Sequence, residues 1–102
     1  MNMQALLKQA QKMQKDMAAM ENQLSERIYD ATIGGGVIKI SVRGNLTVDS
    51  IDIDQTLLEK ENKEDIQEML VSVLNEALIK AAADKEESMN AITGGIKMPG
   101  GF

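Results

Sequence analysis

The hydrophobic period of this 102-residue chain changes twice, which restricts it to helices laid against a small sheet. Over residues 3–24, Met3, Leu6, Ala10, Met13, Met17, Met20 and Leu24 recur at steps of three and four. The stretch has no Gly or Pro and is rich in helix formers. Met3, Ala10, Met17 and Leu24 form one sevenfold series, and Leu6, Met13 and Met20 form the other, giving an a/d seam over three heptads. From Val37 to Arg43 the period falls to two, with Ile38, Ile40 and Val42 facing one way and Lys39, Ser41 and Arg43 the other. Helical spacing returns from Ile66 through Met69, Leu70, Val73, Leu74, Ala77, Leu78 and Ala81 to Ala82, a stripe wide enough to cover a sheet.

The turns join these pieces into one α+β domain over residues 1–102. Gly34-Gly35-Gly36 separates a short strand at Ile28 to Ile33 from the alternating one, and Gly44-Asn45 suits a hairpin turn with Gly first. A third strand follows at 46–54, with Ile51 and Ile53 inward. Val48 is out of step with Ile51, so a β-bulge is expected between them, turning Asp49 outward. Asn62 is a suitable N-cap for the second long helix, with Glu64 and Asp65 placed to complement its dipole. The expected layout is a helix at 1–24, a three-stranded antiparallel meander at 26–54, a helix at 62–89 and a Gly/Pro-rich tail at 93–102. A first helix of about 33 Å exceeds what the globule needs, so it packs on another helix or projects.

Absent residue types remove whole classes of chemistry. Without Cys or His there are no thiol nucleophiles, imidazole bases, disulfides or common zinc sites. No apolar run approaches the ~20 residues of a membrane helix, and the first 24 residues lack the continuous apolar stretch of a secretory signal. A soluble, intracellular protein with no cofactor and no small-molecule substrate is expected, and not an enzyme. Asp49, Asp52 and Asp54 keep a sheet face or edge soluble rather than complete a ligand set. Tyr29 and Phe102 are the only aromatic rings, too few for a single-strand stacking platform.

The net charge of −5 is unevenly spread. Residues 46–70 hold eight acids and two lysines, whereas residues 1–20 carry Lys8, Lys12 and Lys15 against Asp16. The three lysines fall at i, i+4 and i+7, opposite the seam. Such a stripe is either a solvated helix face or a row of phosphate contacts, which need spaced cations and no base-edge chemistry. Lys80, Lys85 and Lys97 are weaker candidates near the C-terminal end. The periodicity leaves open whether the seam packs within the chain or between chains; Met13, Met17, Met20, Ile38, Ile40 and Val42 are the candidate dimer or partner surface. Methionine at both a and d gives adaptable packing that specifies oligomer state poorly.

These residues resemble the YbaB/EbfC family of bacterial nucleoid-associated DNA-binding proteins. The opening Met3 to Gln14 is similar to that family's N-terminal helix, and Gly34 through Gly44 to its glycine turn and central strand. Ile53-Asp54 with Leu57-Leu58 resembles the strand exit, Asn75 with Ala77 the second long helix, and Thr93-Gly94-Gly95 to Pro99-Gly100 and Phe102 the C-terminal signature. Gln55 departs from the proline that the family commonly carries after the Asp. The resemblance implies an α-β-β-β-α subunit forming a tweezer-like homodimer that binds duplex DNA with little sequence preference. It further implies a place in the cytoplasm on the nucleoid, with effects on nucleoid organisation and gene expression. Lys8 and Lys12 are carried over on the matching helix, and Lys15 joins them from the stripe. The rival expectation is a protein-interaction dimer that grips a partner protein through its Met-lined helices.

Overall fold

The computed structural model describes residues 2–59 and 63–94. Their elements run α1 (Met3–Glu26), β1 (Ile28–Ile33), β2 (Ile38–Arg43), β3 (Val48–Ile53), α2 (Gln55–Leu58) and α3 (Lys63–Thr93). The strands form an antiparallel sheet in the order β1-β2-β3. Period-two alternation is realised in β2, where Ile38, Ile40 and Val42 are fully buried. The expected bulge is present: Ser41 pairs with Ser50 but Val42 with Val48, so Asp49 is the extra residue on β3. Its carboxylate turns back to Arg43, 3.0 Å from Nη2.

The two hairpins use glycine differently. Gly34, Gly35 and Gly36 all take positive φ (63°, 73° and 96°), a region that L side chains avoid, so the β1–β2 turn depends on them. Gly44 has no such need, because the positive φ of the β2–β3 turn falls on Leu46 at 67°. The Leu46 amide bonds to the Arg43 carbonyl and the Arg43 amide to the Thr47 carbonyl, which closes a three-residue loop. The two-residue, glycine-first turn expected there is therefore corrected. Glycine is required at 44 by proximity instead: a Cβ there would lie 1.8 Å from the Leu24 carbonyl oxygen. This turn seats the end of α1, with the Gly44 and Asn45 amides donating to the Arg27 and Ser25 carbonyls at 2.9 and 3.3 Å.

The helix α3 lies across β1 and β2, burying Val73 and Ala77 against Ala31, Ile38, Ile40 and Val42. Burial of that size stabilises by about 1.5–3 kcal/mol for each Val or Ile side chain. It stops short of β3, so Ile51, on the inner face as expected, is still 52% exposed. The helix continues past the expected 89 to Thr93 and ends at Gly94, whose φ is 64°. Its first turn holds Glu64 and Asp65, whereas Asn62 lies outside the described residues. The single turn of α2, which the periodicity did not anticipate, is capped by Asp54 accepting from the Thr56 amide at 2.9 Å.

The helix α1 begins at its cap Asn2, which accepts from the Gln4 amide at 3.0 Å, and packs along the part of α3 that leaves the sheet. The subunit is drawn out to 69 × 25 × 17 Å with a radius of gyration of 19.6 Å, against about 13 Å for a compact chain of this length. One half is therefore a sheet domain and the other an arm of two helices.

Candidate nucleic-acid interface

Helical periodicity gives α1 two faces. Met13, Met17, Met20 and Leu24 are its half-buried or buried positions before Ser25, and all belong to the a/d seam. The half-buried positions of α3 beyond the sheet include Ser88, Met89 and Ile92. The inner two-thirds of the seam is thus half-buried within the chain. At its outer end Met3, Leu6 and Leu7 are exposed.

Lys8, Lys12 and Lys15 occupy the opposite, exposed face and make no hydrogen bond or ion pair to any described residue. Seven residues of helix place Lys8 and Lys15 about 10 Å apart along one line. Of the cations nearer the sheet, Arg27, Arg43 and Lys80 are engaged, whereas Lys39 on β2 and Lys63 at the start of α3 are exposed without a partner among the described residues. Arg43 bonds to Asp49 and to Glu26 at 3.3 Å. Lys80 donates to the Asp30 carbonyl at 2.8 Å and sits 3.9 Å from Glu76. Lys85 is exposed on α3, on a different helix from the stripe, and Lys97 lies outside the described residues.

The arm is pinned to the sheet by a polar clasp that the sequence reading missed. Arg27 Nη1 and the Tyr29 hydroxyl both donate to Asp84 Oδ2, at 2.8 and 2.5 Å, and Ser88 donates to Oδ1 at 3.3 Å. These donors, the Tyr29 hydroxyl first and the guanidinium second, hold the Asp84 carboxyl below the usual carboxylate range. Burial, then the bond to Asp84, raises the Tyr29 phenol. Local pattern could not reveal the clasp, because its partners are 55 and 57 residues apart.

The expected interface residues require a correction. Ile38, Ile40 and Val42 are 0–1% exposed in the single subunit, so they form its core and present no surface to a partner. Met13, Met17 and Met20 are half-buried along α1's seam with α3. The open apolar surface lies elsewhere, on β3 and the adjoining flank of α3. Val48 and Ile51 are 49% and 52% exposed there. Lys80 and Asp84 tie one flank of α3 to β1, which leaves Leu70, Leu74 and Leu78 on the flank towards β3, with the exposed Val71 beyond them.

A small α-β-β-β-α subunit whose projecting helix carries a row of lysines is similar to the nucleoid-associated class of protein. The YbaB/EbfC DNA-binding family model matches residues 1–96, and the chain belongs to that family, which is one of DNA-binding proteins and not of enzymes. A nucleoid-associated protein of Pelotomaculum thermopropionicum is 39% identical over 101 residues, spanning 99% of this chain and 96% of its own. Another, from Clostridium acetobutylicum, is 36% identical over 97% of this chain and 88% of its own. The crystal structure of an uncharacterized protein from Helicobacter pylori superposes with a TM-score of 0.76 at 25% identity, covering 91% of this chain and 98% of that one. No helix among the described residues is long and apolar enough to cross a membrane.

Proposed function

We propose that two copies of this chain form a homodimer that docks on the phosphate backbone of duplex DNA through Lys8, Lys12 and Lys15 of each α1. The observation that carries this is the unpaired lysine row on a helix held clear of the acidic sheet domain. Phosphate contacts position a protein without reading sequence, so little sequence preference follows, in keeping with a role on the nucleoid and in gene expression. Dimerisation draws support from the exposed Val48, Ile51 and Val71 with the half-buried Leu74 and Leu78 beside them, an apolar strip that a second copy would bury. The rival reading, a partner protein gripped by Met13 and Met17, would require that partner to displace α3.

Fluorescence anisotropy of a labelled duplex tests the reading. Three lysines from each of two copies neutralise at most about six phosphates, giving a slope near −5 in log K against log salt and a loss of roughly 10³-fold between 50 and 200 mM. Duplexes of unrelated sequence should give the same curve. Absence of binding at the lowest salt would refute DNA docking by this chain alone. Sedimentation tests the dimer separately: Ile51→Lys should convert a two-chain species to one chain while the helical circular dichroism is retained.

A further inference from the structure

We infer that the seam between α1 and α3 is a methionine-oxidation site at which a peroxide or hypohalous acid releases the arm. Two sets of contacts hold α1. Its end is fixed by the buried Leu24 and the Gly44 turn, and its middle rests on Met13, Met17 and Met20, with Met89 and Ile92 among the half-buried positions of the distal α3. The seam methionines are half-buried rather than sealed, which leaves them open to a small oxidant. The chain has no Cys to intercept it, which makes the thioethers its foremost sites of two-electron oxidation. The residues fully closed in the sheet domain are Ile, Val and Ala, which carry no sulfur. Met69, half-buried at the edge of that core, is the one described methionine of the sheet domain.

The step balances with peroxide as the named oxidant. A thioether lone pair takes the distal peroxide oxygen as the O–O bond breaks. The sulfur loses two electrons in becoming a sulfoxide, and the proton of the transferred oxygen passes to the leaving oxygen, which departs as water. A sulfoxide needs hydrogen-bond donors that an apolar seam does not supply; the Ser88 hydroxyl on the distal α3 already donates to Asp84. Water supplies them, so the oxidised side chains favour an α1 swung away from α3, pivoting on its anchored end. Lys8, Lys12 and Lys15 move with it.

The test reads arm geometry and is independent of DNA binding. With no native Cys, Gln14→Cys and Asn90→Cys accept a maleimide spin-label pair on exposed positions of the two helices. Before oxidation the label separation should be narrow, set by an interaxial distance of about 8–10 Å. Graded hydrogen peroxide should add about 16 Da per oxygen at Met13, Met17, Met20 and Met89 and broaden the distribution to longer separations. Methionine sulfoxide reductases should restore it. A variant carrying Leu at those four positions, a nearly volume-conserving change, should stay narrow at the same dose. Met17→Gln, a permanent polar seam residue, should broaden the distribution without oxidant. The proposal is overturned if the seam stays unoxidised at a dose that converts the exposed Met3. Sulfoxides that leave the separation unchanged, or equal broadening in the leucine variant, would overturn it as well.

Discussion

The sheet domain and the helical arm are built from different side chains and behave accordingly. In the sheet domain, stiff β-branched residues (Ile38, Ile40, Val42 and Val73) are fully enclosed, and each has few rotamers to choose among. In the arm, flexible methionines are half-buried along one seam, and the outermost turns of α1 are exposed. A binding surface on the first would be fixed in place. On the second it can adjust to a DNA backbone whose curvature varies, provided the arm is held where it meets the sheet. The Gly44 seat and the Arg27–Tyr29–Asp84 clasp sit at that junction.

The comparison breaks most severely at the junction. Gly44→Ala places a methyl group against the Leu24 carbonyl, which cannot retreat without moving α1. A loss of about 3 kcal/mol or more in urea denaturation is expected, at the upper end of overpacking costs. Next comes the contrast between the halves themselves. Ile40→Ala, in the closed core, should cost about 3 kcal/mol, whereas Met17→Ala, in the adaptable seam, should cost about 1. Equal costs would remove the distinction.

The clasp contributes less and is tuned by pH. The folded-state pKa of Asp84 lies below its unfolded value, so its contribution is present above about pH 4 and lost as pH falls through the folded pKa. Asp84→Asn should therefore lower stability at neutral pH and narrow its gap to the unaltered protein as pH drops below 4. Tyr29, raised from 10.0, predicts a second loss as pH rises through its folded pKa, which Tyr29→Phe should abolish. The smallest effect is a gain. Leu46→Gly relieves a left-handed residue and should raise stability by about 0.5 kcal/mol, the strain of the L side chain less the added freedom of glycine.

Periodicity made most of the fold legible. The β2 alternation located the core, the Val48–Ile51 mismatch located the bulge, and the heptad seam placed the lysines on the opposite face of α1. What stayed hidden depends on contacts between distant segments. Whether Ile51 is covered depends on the line that α3 takes across the sheet, and strand pattern carries no record of it. Gly44 looked like a turn residue because its true constraint, the Leu24 carbonyl, lies twenty residues back. The clasp joins β1 to α3 through side chains that are individually ordinary. Of the site, the lysine row could be read directly, but the open apolar strip on β3 could not, since exposure of an inward-facing residue is a tertiary property.

The central claim, that the arm's lysines carry docking, is tested most directly by the salt dependence of duplex binding before and after Lys8, Lys12 and Lys15 are all replaced by Ala. The replacements touch no described partner, so stability should stay within about 0.5 kcal/mol. The unaltered protein should show a slope near −5 and the variant a much flatter one with weaker binding at 50 mM. An unchanged slope would contradict the account and move the docking surface off α1.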